Sequence, residues 1–300
     1  MIDTLLQKID ELENPSVVGL DPNIGMIPKK LKDEKIEEFG KTSKAVAEMF
    51  LEFNKGIIDA VADIVPAVKP QIAMYEQYAL DGIDAYLKTI EYAKDKGLVV
   101  IGDIKRGDIS STAKAYAAHI SGTEICGERC DLWKEDFVTV NPYLGIDGIL
   151  PFIEACNEQD KGIFVLVKTS NPSSSQLQDL ISDGKPIYHH VAELVLKWGE
   201  LSRGKRGYDK VGAVVGATES KQGEELRKLM PRTFFLVPGY GAQGGKGDDL
   251  KGYFDSEGRG CIVNSSRGII AAYQKDDRYG DDFAAAARDA AIAMKEDLRL

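Results

Sequence analysis

Eight short runs rich in aliphatic and β-branched residues recur along the chain, at 16–21, 64–69, 98–105, 136–141, 162–168, 210–216, 233–237 and 260–265. Helix-periodic stretches separate most of them, at 36–62 (in pieces), 76–96, 110–120, 148–157, 187–201, 220–230 and 283–298. Strands that alternate with helices build parallel sheets, because each crossover needs a helix to return the chain to the same edge. Eight such units within 300 residues predict a closed (β/α)8 TIM barrel, formed as one domain over residues 1–300 with extra helices and long loops. An open doubly wound sheet is the alternative. No short internal repeat and no low-complexity stretch competes with either reading.

A barrel of this kind places its chemistry at the C-terminal ends of the strands, so polar residues should gather there. The run 16–21 ends in Asp21, 64–69 in Lys69, and 98–105 in Asp103 and Lys105. The later runs end in Asn141, in Lys168-Thr169-Ser170, and in Gly216-Ala217-Thr218. The last two lead into Pro238-Gly239-Tyr240-Gly241-Ala242-Gln243-Gly244-Gly245 and Asn264-Ser265-Ser266-Arg267-Gly268. Any one polar strand end is unremarkable; eight together predict a functional ring. The densest part is Asp103-x-Lys105-x-x-Asp108, where strand alternation puts Asp103 and Lys105 on one side, roughly 7 Å apart along the chain. Charges at the rim of an aliphatic core are costly unless they pair, so this array needs mutual neutralisation or a use.

The last two loops suit a phosphate. Their glycines let backbone N–H groups approach an anion, and Arg267 supplies a planar, permanently charged fork. Gly239–Gly244 also satisfies G-x-G-x-x-G, but it follows the seventh strand instead of the first. The next strand ends in Asn264-Ser265-Ser266 without the acid a dinucleotide site needs. A Walker loop is excluded because Gly247 follows Lys246.

Several other classes are disfavoured. A formal charge of −10 is unsuited to nucleic acid or an anionic membrane surface. No apolar stretch approaches ~20 residues, so no membrane span is expected. The amphipathic start, residues 1–14, is unlike a secretion signal. Four cysteines in so long a chain suit a reducing cytoplasm, and Cys126 and Cys130 read as structural or merely reduced thiols. Of the three histidines, His189 and His190 diverge by about 100° on a helix, and His119 is expected on a helix surface. No metal site is therefore expected, and a catalytic serine would lack its histidine. Acid–base and electrostatic work by Asp and Lys remains.

These motifs resemble the orotidine 5′-phosphate decarboxylase superfamily, which shares D-x-K-x-x-D at its third strand. Gly19-Leu20-Asp21-Pro22, Val68-Lys69-Pro70, Pro238–Gly245 and Ser265-Ser266-Arg267-Gly268 extend the likeness across the barrel. Asn141-Pro142-Tyr143-Leu144-Gly145 and the chain length are similar to the longer bacterial, type 2 branch. The resemblance implies cofactor-free loss of CO2 from orotidine 5′-monophosphate to give uridine 5′-monophosphate, the last step of de novo UMP synthesis. It implies that Lys105 delivers a proton to C6 of the pyrimidine, Asp103 lies against the departing carboxylate, Lys69 completes the array and contacts the ribose, and Asp21 holds a ribose hydroxyl. Ser170 would read the pyrimidine amide edge, with Asn141 also counted among the substrate-binding residues. Gln243 would bridge phosphate and base. Arg267 would grip the phosphate with backbone N–H groups of Gly241–Gly244 and Ser266–Gly268. Asp108 and Thr112 would enter the partner subunit's site, making a homodimer the working unit. The same third-strand motif also serves Mg²⁺-dependent relatives acting on sugar phosphates, such as hexulose-6-phosphate synthase, whose second strand usually offers Glu where Lys69 stands. A Schiff-base aldolase and a non-catalytic phosphate-ligand sensor are further alternatives.

Overall fold

The structure, a computed structural model, describes residues 1–241 and 245–299. Eight parallel strands close on themselves in sequence order, each hydrogen-bonded to its neighbours and the last to the first. They are β1 (Ser16–Leu20), β2 (Ala67–Pro70), β3 (Val99–Arg106), β4 (Phe137–Val140), β5 (Gly162–Lys168), β6 (Val211–Val215), β7 (Phe235–Pro238) and β8 (Cys261–Ser265). The helices are α1 (Ile2–Leu12), α2 (Lys29–Phe39), α3 (Ser43–Val61), α4 (Ala73–Glu76), α5 (Ala79–Asp95), α6 (Ser110–Ser121), α7 (Ile146–Gln159), α8 (Ile187–Gly199), α9 (Ser220–Leu229), α10 (Arg267–Ile270) and α11 (Phe283–Asp297). The (β/α)8 architecture therefore holds and the open sheet does not. All eight expected strands form, and β2 starts three residues later than its apolar run.

Two-residue alternation divides the aliphatic side chains into two cores. Val18, Val68, Val100, Val138, Val165, Ala213, Val237 and Val263 join the large cluster under the helices. Val17, Ala67, Val99, Ile101, Phe137, Phe164, Leu236 and Ile262 form the second cluster, inside the barrel, together with Ile2, Leu5, Leu6 and Ile9 of α1. The amphipathic first helix thus plugs one end of the barrel with its apolar face. Following the same inward register toward the other end brings Lys69, Asp103, Thr139, Lys168 and Asn264, all buried. The barrel interior is apolar at the plugged end and polar at the open one, which is what places a charged site there.

Among the described residues, no helix is long and apolar enough to cross a membrane. Two hairpins, Thr123–Ile125 with Glu128–Cys130 and Ile181–Ser182 with Lys185–Pro186, were not anticipated. Cys126 is exposed in the turn of the first hairpin, and Cys130 ends its second strand.

The expectation for His119 is corrected. It is 4% exposed, pairs with the fully buried Glu135 at 2.7 Å, and stacks on Trp133 at 3.9 Å between ring centroids. Tyr86 donates to the other Glu135 oxygen. Partners on other elements make burial of this polar ring favourable.

Candidate active site

The open end of the barrel holds a cavity of about 380 Å³ lined by Asp21, Lys69, Asp103, Asn264, Ser266 and Arg267 from four strand ends. Asn23 and Met26 of the loop after β1, Met74 of α4, and Pro238–Tyr240 complete its wall. Its centre is Asp103. One carboxylate oxygen accepts from Lys69 Nζ at 2.7 Å, and the other accepts from Lys105 Nζ at 2.5 Å and from Thr139 Oγ1 at 2.8 Å. Lys69 and Asp103 are 4% and 6% exposed. Burial by itself would push the Asp103 carboxyl up, but the Lys69 and Lys105 ammonium groups outweigh it and hold it well below the usual carboxylate range. Burial likewise disfavours the charged form of Lys69; the Asp103 and Asp21 carboxylates reverse that and raise it above an ordinary lysine. Both shifts point the same way, to a permanently ionised pair.

Lys105 is held differently. Its φ is +46°, at the place where the β3–β4 register shifts, and its backbone N–H donates to Thr139 Oγ1 at 3.0 Å. Thr139 therefore fixes both the carboxylate and the backbone of the residue that reaches it. It was missed in the sequence because a threonine amid Phe137-Val138-Thr139-Val140 reads as an ordinary β-former. Only its inward register, in line with Lys69 and Asp103, could have marked it. Asn264, which the sequence placed in the polar ring without a role, now has one: its Oδ1 and Asp21 Oδ1 are buried acceptors with no hydrogen-bond partner among the described residues. Two such acceptors in one cavity suit donor groups of a ligand, such as sugar hydroxyls.

The remaining expected residues are distributed more widely. Ser170 lines a neighbouring cavity of about 540 Å³ with Lys168, Ser174, Asp179 and Thr218. There Lys168 Nζ is taken by Asp179 at 2.6 Å and Ser174 Oγ at 3.2 Å. Asn141 is exposed and its Oδ1 accepts from Tyr143 N–H at 3.0 Å. Asp108 and Thr112 do not line the cavity of their own chain; Asp108 Oδ1 accepts from Ile109 N–H at 2.7 Å. Gly241, with φ +69°, donates its N–H to Gly245 O at 2.8 Å. Gln243 and Gly244 lie outside the described residues. Among the described residues, no cluster of three His, Cys, Asp or Glu side chains is placed to hold a metal ion.

A closed (β/α)8 barrel with an Asp–Lys array at the C-terminal ends of its strands, beside a basic residue and glycine-rich loops, defines the class as a (β/α)8-barrel enzyme. Residues 47–279 match the model of the orotidine 5′-phosphate decarboxylase / HUMPS family. The orotidine 5′-phosphate decarboxylase of Caldicellulosiruptor saccharolyticus is 46% identical over 277 residues, covering 91% of this chain and 90% of that relative. That of Clostridium acetobutylicum is 40% identical over 301 residues, covering 100% and 99%. The solved orotidine-monophosphate decarboxylase of Leishmania donovani superposes with a TM-score of 0.73 at 28% identity, over 98% of both chains. The chain belongs to the orotidine 5′-phosphate decarboxylase / HUMPS family.

Proposed function

We propose that the protein converts orotidine 5′-monophosphate to uridine 5′-monophosphate and CO2 without a cofactor, in the cytoplasm, with residues 1–300 acting as one catalytic domain. The observation that carries this reading is the Asp103 carboxylate bridging two lysine ammonium groups at the mouth of the barrel. Departure of CO2 from C6 leaves an electron pair in an sp² orbital that the ring π system cannot delocalise. A cation must therefore meet that carbon, and Lys105, half exposed and paired with Asp103 of the cavity wall, can swing from that carboxylate toward it.

The bond from C6 to the carboxylate carbon breaks, its electron pair remains on C6, and Lys105 Nζ transfers a proton there. Lys69, Lys105, Asp103 and the Asp108 drawn from a second subunit cancel in formal charge, so the substrate carboxylate brings one excess negative charge to the array. As neutral CO2 leaves, that charge stays behind on C6 beside the Lys105 ammonium, and the proton transfer then quenches it and leaves the amine neutral. Most of the acceleration then comes from a preorganised cation facing developing negative charge. The phosphate is gripped by Arg267 with backbone N–H groups of 241–244 and 266–268, Gln243 bridges phosphate and base, and Ser170 reads the pyrimidine amide edge. Binding energy from that remote group drives closure of the loops at 239–252 and 171–185.

Each site draws Asp108 and Thr112 from a second subunit. This is supported by the apolar surface around them. Ile109, Tyr143, Leu144, Ile146 and Leu150 are all exposed, Tyr143 by 81%. Gly148 lets α7 close onto the Asp108 carbonyl, so this surface and the Asp108 loop form one unit. The four cysteines are free, in keeping with a reducing compartment. A Schiff base on Lys168 is opposed by Asp179, whose carboxylate occupies the Lys168 Nζ at 2.6 Å.

The test is turnover of orotidine 5′-monophosphate in the presence of a chelator, followed by loss of its ultraviolet absorbance. Turnover is expected to persist with chelator, and Arg267→Ala is expected to lower kcat/KM on the order of a hundredfold by removing charged hydrogen bonds to phosphate. Absence of turnover by the wild-type protein would end this reading.

A further inference from the structure

Lys105 stands in a backbone conformation that a lysine rarely adopts. Its φ of +46° lies in the left-handed region, where Cβ crowds the following carbonyl. Such a residue stays there only where its surroundings over-determine it. On one side, Thr139 Oγ1 accepts the Lys105 N–H at 3.0 Å. On the other stands Arg106, the last residue of β3 and an unassigned position within Asp103-x-Lys105-x-x-Asp108. The β3–β4 register breaks after Gly102–Val138 and resumes at Arg106–Val140, where the Asn141 N–H donates to Arg106 O at 2.8 Å. Arg106 Nη2 donates to Glu76 Oε1, and the guanidinium carbon lies 5.7 Å from the centroid of the Tyr116 ring.

Both holds on Arg106 stand on anchored elements. Glu76 ends α4, next to Tyr75, which is fully buried and whose phenol donates to Leu20 O at 3.1 Å. Ile72, just ahead of α4, donates its N–H to Asp103 O at 3.4 Å, so the short helix is seated on β3 itself. Tyr116 belongs to α6 and packs against the main core. We propose that Arg106 is a positioning residue, clamped by Glu76 and Tyr116 so that Lys105 keeps the left-handed backbone from which its ammonium swings toward the reacting carbon. The clamp fixes the pivot and leaves the lysine side chain free to move. Its effect therefore belongs to the chemical step and not to binding of the nucleotide. This rests on the decarboxylase reading, which makes Lys105 the proton donor.

The experiment compares the wild-type protein with Glu76→Gln and Arg106→Gln. It measures kcat for orotidine 5′-monophosphate, binding of uridine 5′-monophosphate by calorimetry, and the Asp103 titration by carbon-13 NMR of labelled aspartate. The Arg106 and Glu76 side chains are 26% and 37% exposed, so the pair is partly screened and the effect is modest. Glu76→Gln is expected to lower kcat about fivefold with nucleotide affinity unchanged, and Arg106→Gln to match it. The sign separates position from charge. Losing the Glu76 charge would by Coulomb's law alone ease carbanion formation and move the Asp103 titration to lower pH. A Lys105 drawn off its aim does the reverse: turnover slows, and Asp103, left with one cation fewer, titrates at higher pH. The proposal is overturned if Glu76→Gln keeps wild-type kcat, if nucleotide affinity falls by the same factor as kcat, or if Asp103 titrates at the same or lower pH. A wild-type protein without turnover would sink the decarboxylase reading. The clamp would then be judged by the Asp103 titration in Glu76→Gln, upheld by an upward shift and overturned without one.

Discussion

Asp103 remains a buried anion because two cations hold it so, and this has a sign that can be checked. Its depressed folded-state value means that its contribution to stability is fully present above the unfolded carboxylate value of about 3.9 and is lost as pH falls through the folded value. Lys69 is raised, so its contribution is fully present below about 10.4 and is lost as pH rises through its folded value. Between those limits the array keeps its charges. Lys69→Gln removes one cation and leaves Asp103 with Lys105, whose side chain is 45% exposed and better screened. Burial then gains on Coulomb attraction, and the Asp103 carboxyl should titrate at higher pH. Carbon-13 NMR of labelled aspartate reads this without relying on activity. An unchanged Asp103 titration would mean that Lys69 is not the cation holding it.

At the scale of elements, β3 carries the site, and what fixes β3 is a glycine. Gly102 immediately precedes Asp103, and a Cβ there would overlap the Glu135 carboxylate. That carboxylate cannot retreat, since Tyr86 and His119 hold its two oxygens. Gly102→Ala should therefore cost about 1–3 kcal/mol through overpacking, seen as a lower urea midpoint with an unchanged slope. Wild-type stability in that variant would show that Glu135 has room to move. The same element shows how far the sequence could be read. Aliphatic alternation and strand-end charge identify β3, Asp103 and Lys105, because register and burial follow from periodicity. Glu135 and His119 could not be read this way, since their burial depends on partners brought from other elements. The short hairpins and α10 were equally hidden: they are too brief for periodicity to register, and tertiary contacts decide them. Thr139 lay in between, with its position legible from strand alternation and its role visible only once Asp103 stood opposite.

The whole molecule completes its site only as a pair, if Asp108 and Thr112 act across subunits, and the arithmetic of mixing makes this decisive. Lys105→Ala and Asp108→Ala should each be inactive as homodimers, since every site then lacks one group. In a mixed dimer the chain that keeps Lys105 receives Asp108 from its partner, so one site is intact and the other lacks both. Random pairing on co-expression makes half the dimers mixed, and one active site in two restores about a quarter of wild-type activity. If Asp108 instead served its own chain, every site in the mixture would retain a defect and nothing would return. The exposed surface beside the Asp108 loop supplies a further check, because the same patch must hold the pair together. Tyr143→Asp sets a charge in an otherwise apolar contact and should shift the protein to monomer by sedimentation velocity, with kcat lost in step. A monomer that keeps full turnover would show that one barrel is sufficient, and that Asp108 and Thr112 have no part in a neighbour's chemistry.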